Sequence, residues 1–159
     1  MNYHQIIETP FGPMTPTVGE TGALTKLYFG AHNPLGSEAS PDKVHHVTQQ
    51  LQEYFTGKRT TFDLELDPVG TAFQKQVWEL LLRIPFGETR SYGALAQQLG
   101  QPTASRAVGM ANARNPIAII VPCHRVIGIS GKLTGYAGGL DMKERLLAFE
   151  KGITLSLFD

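Results

Sequence analysis

The chain contains one cysteine, Cys123, in the stretch "VPCHRVIG", with His124 and Arg125 directly after it. A thiol beside an imidazole and a guanidinium is the material of a nucleophile. It attacks only as thiolate, so an imidazole, a cation or a helix N-terminus must lower its pKa or take its proton. His124 and Arg125 are the immediate candidates for that work. Side chains of adjacent residues rarely hydrogen-bond to each other, so His124 is expected to act through a water molecule. The alternative reading is that Cys123 is a small core hydrophobe, the ordinary fate of a free cysteine.

A working imidazole needs a third group to orient it. Two carboxylates near the end of the chain, Glu144 and Glu150, are available. Glu144 follows Asp141 by three positions, which is explained by a capping box at a helix start. Glu150 falls in the last turn of the same expected helix, where a negative charge opposes the helix dipole. That misplacement makes Glu150 the better candidate. Asn115 precedes the apolar run that leads to Cys123 and could fix its backbone, although Asn-Pro is also an ordinary turn signal. Several chemistries stay open at this point. A papain-like hydrolase carries its histidine far from the cysteine in sequence. A redox enzyme needs a resolving cysteine, and the chain has none. A helix-turn-helix regulator needs no reactive thiol.

The elements that must position these groups can be read from periodicity and caps. "YHQIIETP" and "ALTKLYFG" are β-rich runs separated by a turn at Pro10 and Gly12, and "TTFDLELD" alternates as a further strand. Ser40 caps a helix with Pro41 at its first position, Val44, Val47, Leu51 and Tyr54 or Phe55 on its apolar stripe, and Gly57 at its end. "DPVGT" marks a boundary between a domain over 1–69 and one over 70–159. Thr71 and Gln74 make a capping box for a helix that buries Phe73, Val77, Leu81 and Ile84. Ser91 caps a helix through Leu99, and Thr103 caps a second that Asn115-Pro116 ends. Two helices joined by a short glycine-containing turn fit a helix-turn-helix. The second is slim and alanine-rich, carries Arg106 and Arg114, and suits either close packing or a nucleic-acid groove. "NPIAIIVP" reads as a buried strand, and "LDMKERLLAFEKG" as a final helix capped by Asp141.

Composition narrows the classes. The 159 residues are 42% apolar, enough for one compact domain or two small ones. A single cysteine forms no internal disulfide and supplies none of the usual multi-cysteine zinc sites. His45 and His46 are adjacent and point apart on their helix, so no metal is expected there. No apolar run approaches 18 residues, and "MNYHQIIETPFG" lacks a basic-then-apolar leader, so a cytoplasmic chain away from membranes is expected. Net charge is zero, but the halves differ: residues 1–69 carry about −4 and residues 70–151 about +5. The basic half, which also holds Cys123, is the half expected to meet an electrostatic partner.

With "SYGALA", "SRAVGMANARNP", "IVPCHRVIG", "GYAGG" and "KERLLAFE" in this order, the chain resembles the O6-alkylguanine-DNA alkyltransferases, closely over about 70–152. The resemblance implies an α+β protein: a small, ribonuclease H-like N-terminal antiparallel sheet with a helix, and a helical C-terminal domain containing the helix-turn-helix. It implies irreversible, stoichiometric transfer of an alkyl group from O6 of guanine in duplex DNA to Cys123, without a cofactor, with O4 of thymine left open as a second target. His124 is implied as the activating residue, Glu150 as its carboxylate and Asn115 as the turn-fixing member. Tyr92 is implied to hydrogen-bond N3 of the base, and Arg106 to fill the stack that the flipped nucleotide leaves. Ser91, Thr103, Ala104, Arg114 and Arg125 are expected at the DNA, and Val126, Tyr136, Ala137 and Gly138 around the base. A monomer is expected, with cooperative assembly on DNA left open. Two alternatives remain: a module that binds alkylated DNA without reacting, and a Cys–His hydrolase. Chains of this type with tryptophan in place of the cysteine only bind lesions; the presence of Cys123 favours transfer.

Overall fold

Turn residues divide the N-terminal segment into short strands: β1 (Asn2–His4), β2 (Ile7–Thr9), β3 (Gly12–Val18) and β4 (Leu24–Phe29). The computed structural model describes residues 1–131 and 133–152. Strand β3 pairs antiparallel with β1 and β2 along one edge and with β4 along the other. The first apolar run forms two strands where one was expected. Pro16 explains the gap: its carbonyl accepts from Gln5 at 3.3 Å, but it has no N–H to return to that edge. Gly12, at φ +95°, makes the following turn, which the Thr9 hydroxyl closes onto the Gly12 carbonyl at 2.6 Å.

The sheet is mixed and not purely antiparallel. A fifth strand, β5 (Ser37–Ala39), runs parallel to β1. Its polar "SEA" sequence carries no strand signal, and edge pairing through the backbone needs none. The strand expected over "TTFDLELD" reduces to one bridge, Leu66 to Leu24; Pro68 follows and cannot extend a ladder. Helix α1 (Pro41–Phe55) begins where Ser40 accepts from the Lys43 N–H, and it buries Val44, Val47, Thr48, Leu51 and Tyr54. These elements, with residues 116–118, make one unit.

The second unit takes Gly70–Asn115 and the chain from Ile119 onward. Helix α2 (Ala72–Leu82) opens with both hydrogen bonds of the Thr71–Gln74 capping box and buries Val77, Trp78, Leu80 and Leu81. Phe73 is only half-buried, and Ile84 is buried just past the helix end. Strand β6 (Arg90–Ser91) leads into α3 (Tyr92–Gln98), which Ser91 caps through the Ala94 N–H at 3.1 Å. Helix α4 (Ser105–Ala113) completes the helix-turn-helix. Thr103 does not cap it. A turn closed from the Ala104 N–H to Gln101 takes Thr103 up, leaving Ala104 at the cap position without a side-chain bond. The Trp78 indole N–H donates to Ala111 at 2.9 Å and ties α2 to α4.

The run 117–121 is buried as expected, but it is not a strand: Ile117 makes one bridge and the chain then turns. A 3-10 turn over Cys123–Arg125 follows, then β7 (Val126–Ile127), parallel to β6. Helix α5 (Leu140–Glu150) is preceded by Gly139 at φ +94°, not capped by Asp141. Asp141 lies inside the first turn, 3.7 Å from Arg145. No helix among the described residues is long and apolar enough to cross a membrane.

Candidate active site

Cys123 heads the 3-10 turn, buried, with its N–H donating to Val121 at 2.8 Å. Two amides from the end of α4 hold this segment. The Asn115 Nδ2 donates to the Val121 carbonyl at 2.8 Å, and the Asn112 Nδ2 to the Cys123 carbonyl at 3.3 Å. Before them Ile119 adopts φ +69° while buried, a left-handed conformation that costs a β-branched residue about 1–3 kcal/mol. Surrounding packing must therefore enforce the bend that brings the chain to Cys123.

His124 is wholly buried, and its Nε2 lies 2.8 Å from Glu150 Oε2. Arg125 grips the same carboxylate, Nε to Oε1 at 2.7 Å and Nη2 to Oε2 at 2.9 Å, and its Nη1 donates to the Ile84 carbonyl at 2.7 Å. Burial by itself would raise the Glu150 pKa, but the hydrogen bonds and charges of His124 and Arg125 outweigh it and hold the carboxyl well below the usual range. Glu150 is thus an anion. It accepts the His124 Nε2 proton, so Nδ1 is left as the basic nitrogen. That Nδ1 is buried without a partner among the described residues. Burial lowers the His124 pKa despite Glu150, so the ring rests neutral. Gly87 sits against this group at φ +82°, where a Cβ would come within 3.3 Å of the Glu150 carbonyl oxygen.

Burial pushes the Cys123 thiol up, opposed by an Asn115 hydrogen bond and the charge of Lys143. Cys123 therefore rests as a thiol beside a neutral base. Lys143 is wholly buried on α5, its Nζ 3.3 Å from the Thr134 carbonyl, and burial lowers its pKa while Cys123 raises it. Burial likewise raises the Tyr136 phenol, with further contributions from Cys123 and Glu150. In the same unit a cleft of about 550 Å³ is lined by Tyr92, Ser105, Arg106, Gly109, Met110, Ala113, Thr134 and Gly135. The Tyr92 phenol and the Thr134 hydroxyl are hydrogen-bonded to each other.

The structure thus gathers Cys123, His124, Glu150 and Asn115 in one cluster and sets Tyr92 and Arg106 on one cleft. Glu144 is exposed on α5, away from this cluster. Arg125, expected at the DNA, is instead buried: its Nε and Nη2 donate to the Glu150 carboxylate and its Nη1 to the Ile84 carbonyl. Val126 is fully buried in β7 and does not line the cleft. The loop offers Thr134 and Gly135 to the cleft, whereas Ala137 is exposed and Tyr136 and Gly138 are half-buried. Ser91 is occupied as a cap, Thr103 and Arg114 are exposed, and Ala104 is half-buried. Sequence reasoning missed Lys143, Asn112 and Thr134. Lys143 had a signal, since it shares a helix face with Leu146 and Glu150 at spacings of three and four. Among the described residues no three His, Cys, Asp or Glu side chains gather to hold a metal ion.

Residues 2–68 match the family model described as 6-O-methylguanine DNA methyltransferase, ribonuclease-like domain, and residues 72–152 match its DNA binding domain. A methylated-DNA--protein-cysteine methyltransferase of Mycobacterium tuberculosis is 51% identical over 166 residues, covering 100% of both chains. One from Methanosarcina mazei is 51% identical over 154 residues, covering 94% of this chain and 97% of its own. A crystal structure of Mycobacterium tuberculosis OGT in complex with DNA superposes with a TM-score of 0.90 at 50% identity, covering 99% of each chain.

Proposed function

The chain belongs to the 6-O-methylguanine DNA methyltransferase family, and from that membership we propose that it repairs O6-alkylguanine in duplex DNA by moving the alkyl group onto Cys123. The observation that carries this reading is the buried set Cys123, His124 and Glu150, in which His124 presents an unpartnered basic Nδ1.

The geometry supports the following steps. DNA docks on the helix-turn-helix, with Arg106 exposed on α4 at the cleft. An alkyl group on O6 lies inside the duplex, so the nucleotide must rotate out, at a cost of a few kcal/mol in unstacking. A weakened, damaged pair costs less, and Arg106 filling the vacancy offsets part of the rest. His124 Nδ1 takes the thiol proton through a water, and Glu150, held in place by Arg125, stabilises the imidazolium that results. The sulfur then attacks the alkyl carbon. The S–C bond forms, the C–O6 bond breaks, and the electron pair passes into the purine, where N3 takes a proton from Tyr92. Guanine leaves as its neutral N3-protonated form and shifts that proton to N1 through solvent, Tyr92 recovers a proton from solvent, and Cys123 remains as a thioether. With one cysteine in the chain, nothing can release that thioether, so each molecule reacts once.

The phosphate contacts are electrostatic and indifferent to sequence. The recognised lesion is O6-alkylguanine, and the acting species is a monomer. Incubation with a duplex carrying O6-methylguanine, followed by intact-mass measurement, tests the reading. The expected result is one added methyl on Cys123, saturating at one equivalent. Continued turnover would point to a hydrolase, and tight binding with no added mass to a recognition module.

A further inference from the structure

We propose that Thr134 is a positioning residue for the transfer step: its hydroxyl holds the Tyr92 phenol at the cleft and donates to the phenol oxygen as that phenol protonates the leaving base. The inference rests on the function proposed above and assigns it a residue outside the Cys–His–Glu set.

Three observations carry it. The Thr134 hydroxyl and the Tyr92 phenol are hydrogen-bonded partners forty-two positions apart in sequence, and both line the same cleft. Thr134 is itself anchored from behind, because its carbonyl accepts from Lys143 Nζ at 3.3 Å. Lys143 is wholly buried and makes no ion pair with a carboxylate among the described residues, so its ammonium is committed to this wall. Thr134 is thereby pinned between α3, which begins at Tyr92, and α5, which carries Lys143. On the other side Gly109 lies against the ring: a Cβ there would make ordinary van der Waals contact with Tyr92 Cδ1, at 3.7 Å.

The chemistry follows from donor counting. A phenol has one proton. In the free protein it is shared with Thr134. Once the base occupies the cleft, the phenol proton points to N3, and the phenol oxygen keeps acceptor capacity. A threonine hydroxyl has one proton to give and rotates freely about its C–O bond. As the C–O6 bond breaks and the phenol proton moves to N3, negative charge develops on the phenol oxygen. The Thr134 hydroxyl, already in place, strengthens its bond to that oxygen, and the buried ammonium behind it favours the same charge. The phenol regains its proton from solvent after the base leaves. An interaction stronger in the transition state than before it raises the rate of transfer and leaves binding alone.

The test is single-turnover methyl transfer from a saturating O6-methylguanine duplex, run on the parent, Thr134→Val, Thr134→Ser, Tyr92→Phe and the Tyr92→Phe/Thr134→Val double variant. Thr134→Val keeps the shape and removes the hydroxyl. It is expected to slow transfer about ten-fold with DNA affinity within about two-fold, and Thr134→Ser to restore most of the rate. In the Tyr92→Phe background the valine substitution should change the rate less than about two-fold, because a residue acting through the phenol has nothing left to act on. Alkylation of Cys123 by iodoacetamide, which needs no phenol, should be the same in Thr134→Val and parent. An unchanged rate in Thr134→Val, a full additional loss in the Tyr92→Phe background, or a matching loss toward iodoacetamide would each overturn the role of Thr134. A parent protein that gains no methyl overturns the proposed function itself, which the single variants cannot do.

Discussion

His124 Nε2 and Glu150 Oε2 lie 2.8 Å apart with both side chains out of solvent, twenty-six positions apart in sequence. Since Glu150 is held ionised by His124 and Arg125, it fixes which imidazole nitrogen carries the proton. Nδ1, buried without a partner among the described residues, is therefore the nitrogen left without a proton.

Glu150→Gln tests that relationship directly. The amide can donate to Nε2 as well as accept, which permits the wrong tautomer, and it leaves Arg125 less well paired. Transfer should slow by about ten-fold or more, with a stability loss on the order of 3 kcal/mol from the uncompensated buried guanidinium. Glu144→Gln, on the exposed side of α5, should change neither by a measurable amount. Single-turnover rates and thermal melts on the two variants check this, and the reverse order would reassign the carboxylate.

Acid should expose the same group. A carboxyl whose folded pKa is depressed contributes stability that is fully present above its unfolded pKa, about 4.3. That stability is lost as pH falls toward the folded value. The melting temperature of the parent should therefore fall more steeply below about pH 4.5 than that of Glu150→Gln. Parallel curves would mean that Glu150 is not held ionised.

His124, held neutral by burial, implies a pH profile for the reaction. Its folded pKa lies below the ordinary value of about 6.5, so the base stays available through that pH. Transfer from duplex should hold its rate from pH 8 down past about 6.5 and decline only at lower pH. A midpoint at or above the ordinary histidine value would show that burial does not hold the His124 pKa down.

Arg106 is exposed on α4 and lines the cleft. Arg106→Ala should slow repair in duplex by about ten-fold, and reaction with a free O6-alkylated base far less, since a free base needs no flipping. Equal losses on both substrates would refute a role in the base stack.

Cys123→Ser should abolish methyl transfer and leave DNA affinity nearly unchanged, read by intact mass and by binding to the lesion duplex. A large loss of binding would make the cysteine structural. For the parent, log affinity should fall linearly with log salt with a slope set by a few phosphates. A flat response would contradict a basic DNA-facing surface.

Much of this was legible in the residue order. Caps are local, so Ser40, Thr71 and Ser91 predicted three helix starts that the structure contains. Glu150 stood out because its charge is wrong for a helix end on local grounds, and such a misfit needs a distant partner to explain it. What local reasoning could not reach was which partners those would be. Arg125 read as a cation for the thiol and for DNA, yet only the folded chain brings Ile84 and Glu150 to its donors, where it is a buried clamp. The apolar run before Cys123 read as a strand because its residues favour one, and tertiary packing overrides that preference with a bend at Ile119. Thr134 carried no conspicuous pattern in the glycine-rich loop, and Lys143 carried only a helix face shared with Leu146 and Glu150. Their bonds to Tyr92 and to each other join α3 and α5, which the sequence separates by some forty residues. The sequence by itself determined the nucleophile, its neighbour and the family, because these are written in adjacent residues. The hydrogen-bonded partners of His124 and Arg125 and the shape of the cleft were decided only by the tertiary structure, because hydrogen bonds depend on distances in space that chain order does not set.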